Sequence, residues 1–413
     1  MSNAFQNAQK QVLQVYDYLR TEWVSYKFIE EYLVPDRVIE VSIPVKMDNG
    51  DLKIFTWYRS QHKNILWPYK GWIRFHQDVT IDEVKALSTW MSIKTSVVGL
   101  PLWGGKWWII VNPKELSFQE LEQLTRWYVR KLYKYLWPDF DVPAPDVNTN
   151  PQIMAWMVDE YSKLTGKWTP GAFTGKPLEL GGSKWRWIAT SLGGLYVLEK
   201  YCELNKEEIS WKKIAIQWAW NAGLNFAKLV AEKWAKIIAI SDSRWGIYDE
   251  DGLNIEKIEK YKLDRKSVTD IEGYEKISNS EILEINCDIL VLAALENQIT
   301  LDNVENIKAN VILELANGPT IPEADEVLFK NWKKVLPDIL ANAGWVTVSY
   351  FEQVQWNTNH YWTEEDIFNK LKPIMYSSTE EVINLANKLN VDYRKSSYII
   401  SLERQYNAWK YLN

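Results

Sequence analysis

Two short apolar segments, KIAIQ at Lys213–Gln217 and KIIAIS at Lys236–Ser241, flank a stretch, Ala222–Lys233, whose apolar residues recur at helical spacing. Apolar runs of this length read as buried strands, and strand–helix–strand in so few residues closes as a right-handed βαβ unit. Further apolar runs at Asp288–Leu292, Asn310–Glu314 and Val335–Asp338, separated by helical or loop segments, extend the alternation. That pattern predicts an α/β fold with a parallel, doubly wound sheet. Its order fits a dinucleotide-binding domain, with Asp242 close to where an acid meets a ribose hydroxyl. The phosphate turn departs from this frame. Where the fingerprint is G-x-G-x-x-G/A, the chain reads Trp218-Ala219-Trp220-Asn221-Ala222-Gly223. The first glycine permits the tight turn and the second lets backbone approach the pyrophosphate. Two indoles there are expected to fill that volume, and only the packing glycine, Gly223, remains. The βαβ frame argues for a dinucleotide; the loop argues against tight binding.

The first half is also α/β. Helices are expected within residues 4–33, followed by strands Arg37–Met47 and Leu52–His62 around the hairpin signal Asp48-Asn49-Gly50. Strand Trp72–His76, helix Thr80–Val98, strand Trp107–Val111 and helix Phe118–Trp137 follow. Thr80 with Asp82 and Glu83 starts the first of these helices, and the capping box from Ser117 to Glu120 starts the second. The helical spacing of Trp127, Tyr128, Tyr133 and Leu136 marks them as packing residues. Final helices are expected at Thr363–Leu371, Thr379–Leu389 and Asp392–Tyr411. No linker is rich in Gly or Ser, and no internal repeat is present.

Composition narrows the function. At 413 residues the chain is long enough for two domains, each with its own core. A formal net charge of −6 argues against a nucleic-acid partner, which requires a basic patch. Cys202 and Cys287 lack metal-ligand spacing and read as free buried thiols. His62, His76 and His360 are scattered and read as structural. With no signal peptide and no apolar run of membrane-spanning length, a soluble, cytoplasmic protein is expected.

The chemistry concentrates in four charged residues. In PAPDVNTNPQIMAWMVDEY, Pro143 and Pro145 stiffen the loop that presents Asp146. Asn148 to Asn150 supply capping oxygens, and Pro151 suits the first helical position. A rigid loop carrying an acid suits proton transfer, although the same pattern serves an Asp that only caps a turn. Upstream stand Lys70 in PYKGWIRFH, Lys94 in WMSIKTSVV and Lys106 in LPLWGGKWW. An ammonium among apolar neighbours loses solvation, which lowers its pKa toward neutrality. Three lysines near one acid suit a substrate with two carboxylates and a carbonyl or amine at its reacting carbon.

Taken together, PYKG-IRFH, the GGK before a buried strand, PAPDVNTNPQIMAWMVDEY, FTGKPLELGGS, SDSR-GIYDEDG, LELANGPT and ANAG-VTVSYFE resemble glutamate dehydrogenase of the hexameric, archaeal or thermophile type. The resemblance spans nearly the whole chain. It implies a substrate and oligomerisation domain at 1–180, to which the helices of 363–413 return, and a Rossmann-like dinucleotide domain at 181–362. The implied reaction is reversible, NAD- or NADP-dependent deamination of L-glutamate to 2-oxoglutarate and ammonium by a homohexamer, without nucleic-acid or membrane partners. By resemblance, Lys106 activates water and Asp146 shuttles protons. Lys94 pairs with the α-carboxylate, Lys70 with the side-chain carboxylate helped by Ser349, and Thr174 lines the pocket. Thr190 and Asn342 hold the nicotinamide amide, while Asn221, Gly223, Asp242 and Asn317 meet the rest of the cofactor. Asp242 favours a free ribose hydroxyl, whereas Ser243 and Arg244 suit a 2′-phosphate, so NAD and NADP both stay open.

Tryptophan is the departure. The chain has 24 Trp against 18 Gly. Trp57, Trp67, Trp72, Trp103, Trp107, Trp108, Trp185, Trp187, Trp218, Trp220, Trp245 and Trp345 stand where the family pattern has glycine. Deliberate replacement, an error in how the sequence was read, and a divergent natural lineage all produce this. The changes follow glycine positions rather than one surface, which favours the first two. Low or no activity is the expectation for the chain so written, and a folded but catalytically silent oligomer is the competing reading. A Trp-rich carbohydrate-binding module has little support, because its aromatics would share one platform.

Overall fold

The computed structural model describes residues 3–66, 68–183 and 186–412; Trp67 and Trp185 lie outside them. The chain forms two compact units. One comprises Met1–Arg186, Val346–Ile367 and Tyr398–Asn413, and the other Trp187–Trp345 and Phe368–Ser397.

The first unit is built on a five-stranded sheet of β1 (Arg37–Lys46), β2 (Leu52–Gln61), β3 (Tyr69–His76), β4 (Trp103–Ile110) and β5 (Asp141–Pro145), in the order β1-β2-β4-β3-β5. β1 and β2 form the expected antiparallel hairpin, with Gly50 at φ +92° in its turn. β3 lies parallel to both β4 and β5, so Lys70 stands opposite Gly104 on one side and Val142 on the other. The helix Ile81–Val97 starts at a complete Thr80–Glu83 capping box, and Phe118–Leu132 at the Ser117–Glu120 box. The second helix stops short of the expected Trp137 and gives way to a 3₁₀ turn at Tyr133–Tyr135. Pro138 disfavours helical backbone at Trp137, so the helix cannot continue to the expected end. Tyr128 and Leu136 are fully buried in the sheet–helix core with Phe55, Ile73, Phe75, Met154 and Met157, and Trp127 and Tyr133 pack against it.

In the second unit, β6 (Lys213–Gln217), β7 (Lys236–Ser241), β8 (Gly246–Tyr248), β9 (Glu275–Ile277), β10 (Ile289–Leu292), β11 (Val311–Glu314) and β12 (Lys334–Leu336) form one sheet ordered β12-β11-β10-β6-β7-β8-β9. The five strands expected from the sequence are all present and parallel. β8 and β9 add an antiparallel edge. Cys202 and Cys287 are free and buried. Instead of two helices at 363–371 and 379–389, one helix, Glu364–Leu389, continues through Pro373. Its apolar stripe of Leu371, Met375, Val382 and Ala386 is buried on both sides of the proline, so packing overrides the local break.

Backbone geometry extends the set of anomalous tryptophans. Twelve non-glycine residues have positive φ among the described residues; five are Asn, which tolerates that region, and five are Trp, which does not. The five are Trp23 (φ +63°), Trp211 (+66°), Trp218 (+88°), Trp234 (+63°) and Trp332 (+61°), and only Trp218 belongs to the set picked out from sequence. Three of them occupy one recurrent motif. The amide of Trp23 bonds to Arg20 O and that of Val24 to Leu19 O; Trp234 and Ala235 bond to Ala231 O and Val230 O; Trp332 and Lys333 bond to Phe329 O and Leu328 O. These are Schellman helix ends, whose left-handed residue is usually glycine. Each indole held there costs about 1–2 kcal/mol. Five such residues together approach the roughly 5–15 kcal/mol net stability of a typical protein.

Candidate active site

Lys106 and Asp146 meet because β4 and the end of β5 flank β3. Asp146 follows β5 directly, and its loop is pinned to β3. Its backbone amide donates to Thr149 Oγ1 at 2.6 Å, Thr149 donates to Ile73 O at 2.9 Å, and the Asn148 side-chain amide donates to Phe75 O at 2.9 Å. Asn150 caps the following helix by accepting from the Ile153 amide, with Pro151 at its first position, as the sequence predicts. Lys106 Nζ donates to Asp146 Oδ2, and Arg74 Nε approaches the same oxygen at 3.3 Å. Burial lowers Lys106 to about 8, with Arg74 and Lys94 depressing it further and Asp146 opposing them. Burial pushes Asp146 upward, but the Arg74 and Lys106 charges outweigh it and hold the carboxyl well below its usual range. Lys94 is buried in the last turn of Ile81–Val97, close enough for its charge to act on Lys106. The Trp108 ring lies 4.6 Å from the Arg74 guanidinium and 5.8 Å from Lys106 Nζ.

A second cluster surrounds Lys70, on the same face of β3 as Arg74. Lys70 is fully buried; its Nζ donates to Thr174 Oγ1 at 2.7 Å and to Val142 O at 3.1 Å, and Thr174 Oγ1 lies 3.3 Å from Ser349 Oγ. Burial first, then the Arg186 and Lys176 charges, depress Lys70 well below an ordinary lysine, against the pull of Glu352 and Asp141. The structure therefore joins Lys70, Thr174 and Ser349 by contact, and Lys106 with Asp146 by contact and Lys94 by charge. Arg74, Lys176, Arg186 and Glu352 were not anticipated. Glu352 had a signal: it follows Ser349 by three residues on the helix Gly344–Thr358, so one face carries both. A pocket of about 640 Å³ in the same unit, between Trp168, Leu180, Trp356 and Trp362, contains none of these residues. His62, read as structural, is buried with its ring nitrogens 2.9 Å from Ser92 Oγ and 2.8 Å from Tyr32 O; burial lowers it to about 3.

In the second unit, the helix Asn221–Ala231 begins directly after the β6 turn, and no side chain caps its first amides. A Cβ on Gly223 would stand 2.1 Å from Trp218 O, so this position carries the close strand–helix packing read from the sequence. Asn221 lies at φ +28° and Trp220 is half-exposed above the turn. Asp242 follows β7, and four donors occupy its carboxylate: the Arg244 amide and Ser267 Oγ on Oδ1, Lys262 Nζ and the Val268 amide on Oδ2. Burial pushes Asp242 up, but Lys262 and the two amides prevail and lower it. Asn342 is buried and donates to Leu315 O, Ala316 O and Asn317 Oδ1, which brings two of the expected cofactor residues together; Thr190 lies in the first turn of Ala189–Asn205.

Comparison with known proteins gives a consistent result. Residues 181–411 match the family model "Glutamate/Leucine/Phenylalanine/Valine dehydrogenase", and residues 35–163 match "Glu/Leu/Phe/Val dehydrogenase, dimerisation domain". The NAD-specific glutamate dehydrogenase of Staphylococcus aureus (strain COL) is 45% identical over 390 residues, covering 94% of this chain and 92% of the relative. The crystal structure of glutamate dehydrogenase from Peptoniphilus asaccharolyticus superimposes with a TM-score of 0.88 at 39% identity, covering all of both chains. The hetero-hexameric glutamate dehydrogenase of Thermus thermophilus gives a TM-score of 0.93 at 29% identity, covering 99% of this chain and 97% of that one.

Proposed function

The chain belongs to the glutamate/leucine/phenylalanine/valine dehydrogenase family, and from that membership we propose how its residues carry out the reversible, NAD(P)-dependent oxidative deamination of L-glutamate to 2-oxoglutarate and ammonia. The alternative of a catalytically silent oligomer finds no support, since the relatives are named as dehydrogenases. The observation that carries the reading is the Lys106–Asp146 pair beside a separate, buried ammonium at Lys70.

Lys70 binds the side-chain carboxylate and Lys94 the α-carboxylate, with Thr174 and Ser349 shaping the pocket. Asp146, kept ionised by the Arg74 and Lys106 charges, is the group that exchanges protons with the substrate's amino group. Lys106, lowered to about 8, is substantially neutral in mildly alkaline solution and accepts a proton from the water that adds to the substrate iminium. A bound nicotinamide would supply the hydride acceptor for the α-carbon. The start of the helix Asn221–Ala231 carries no side-chain cap and would be the place for a pyrophosphate, but the Gly223 amide is already bonded to Trp220 O and indoles stand at 218 and 220. Thr190, Asn221, Gly223, Asp242, Asn317 and Asn342 are the residues assigned to the rest of the cofactor. The name of the Staphylococcus relative favours NAD over NADP. The first unit serves substrate binding and assembly, and a cytoplasmic homohexamer is the proposed form. Among the described residues no helix is long and apolar enough to cross a membrane.

The test is initial-rate nicotinamide reduction with L-glutamate, L-leucine, L-phenylalanine and L-valine. Glutamate is expected to dominate; faster turnover of an apolar amino acid overturns the assignment of Lys70.

A pH prediction follows from Arg74. Its charge depresses Lys106, so Arg74→Gln raises the lysine's pKa. Because the neutral amine is the active form, kcat/KM for glutamate in the unaltered enzyme rises as pH passes through about 8, and the substitution moves that limb to higher pH. An unmoved limb shows that Lys106 is not the group titrating.

A further inference from the structure

We infer that the functional protein carries glycine at Trp23, Trp211, Trp218, Trp234 and Trp332, and by the same rule at Trp57, Trp103, Trp107 and Trp108, because one codon written here as tryptophan is decoded as glycine in the source cell. The first five occupy left-handed backbone, three of them at the glycine position of a Schellman motif. Trp23, Trp211, Trp234 and Trp332 also leave their rings 88, 74, 73 and 82% exposed, so nothing in the fold uses the indole. The other four are buried on β2 and β4 with no acceptor for the indole N–H, although a buried indole normally finds one.

Other tryptophans behave conventionally. Trp90 Nε1 donates to Gln11 Oε1 at 2.7 Å, Trp356 Nε1 to Gly181 O at 2.8 Å and Trp409 Nε1 to Glu31 Oε2 at 2.9 Å, and all three lie in helices. Two populations of one residue type, one placed by indole chemistry and one by the absence of a side chain, are what arises when two codons are both read as tryptophan although the cell decodes one of them as glycine. The triplet UGA fits the glycine-decoded one: it differs by one base from the tryptophan codon UGG and by one from the glycine codon GGA, and its meaning varies among lineages. Scattered mutation or surface adaptation has no reason to select left-handed positions. Glycine at Trp218 and Trp220 also restores the phosphate fingerprint, and at Trp107 and Trp108 it clears the strand that carries Lys106.

Peptide mass spectrometry of the protein isolated from its source cells, read against the gene, tests this. The expected result is glycine at 218, 234 and 332, encoded by one triplet, and tryptophan at 90, 356 and 409, encoded by UGG. Tryptophan found at 218 and 234 in native peptides overturns it. The outcome is independent of the functional reading, because masses are measured whether or not glutamate turns over.

A separate observation carries a second inference: we propose that Glu352 is a positioning residue for the side-chain-carboxylate subsite, resting on the assignment of Lys70. Its buried carboxylate accepts from the Gly175 amide at 2.9 and 3.1 Å and from Lys176 Nζ at 2.7 Å, and lies 3.5 Å from Arg186. One group thus fixes the backbone next to Thr174, the residue that receives Lys70, and sets a negative charge against the Lys70, Lys176 and Arg186 cations. Glu352→Gln retains the acceptor for Gly175 but removes that charge, so Lys70 loses its proton at lower pH. KM for glutamate is expected to rise roughly tenfold or more, with the alkaline limb of its pH profile displaced downward and kcat changed less. Lys176→Met, which removes a competing cation, displaces that limb upward. Unmoved limbs in both variants, in an enzyme where Lys70→Met still weakens glutamate binding, overturn the proposal while leaving the Lys70 assignment intact.

Discussion

Lys106→Gln is expected to lower kcat for L-glutamate by on the order of 10²–10⁴-fold, with a smaller change in KM. The ammonium is buried and lowered to about 8, which places it where neutral and charged forms exchange near working pH. Glutamine is one atom shorter and keeps an N–H donor directed toward Asp146, but it cannot take a proton from water. The alkaline rise of kcat/KM disappears with it. A variant that keeps the rise and loses activity uniformly shows that the lysine only shapes the site.

Lys70→Met is the second large effect. The ammonium donates to two neutral acceptors, Thr174 Oγ1 and Val142 O, so a ligand carboxylate would add a direct ion pair. Removing one partner of a buried, hydrogen-bonded charge pair costs about 2–5 kcal/mol. That is roughly a thirtyfold to several-thousand-fold loss of kcat/KM for glutamate. Apolar amino acids of similar length lose less, because they make no ion pair with Lys70, so the preference for glutamate narrows. Equal losses for glutamate and for norvaline contradict the assignment.

Local rules made much of this fold legible. The capping residues at Thr80, Ser117 and Asn150, the hairpin at 48–50 and the parallel strand alternation are each determined within a few neighbouring residues, and all are present. Strands β8 and β9, three residues each, are too short to show a period. The unbroken helix Glu364–Leu389 escaped because burial of its stripe acts over distances that sequence pattern does not record. The contact between Lys106 and Asp146 joins two residues singled out by their motifs. Arg74 and Glu352 act only through neighbours brought together by the sheet and a distant helix. Family glycine positions exposed Trp218, whereas Trp23, Trp211, Trp234 and Trp332 emerged only from backbone torsion.

The most direct measurement is the structure of the enzyme with bound L-glutamate. The side-chain carboxylate is expected on Lys70, the α-carboxylate on Lys94, and the amine between Lys106 and Asp146. Glutamate bound in the opposite sense, or away from these four residues, contradicts the account.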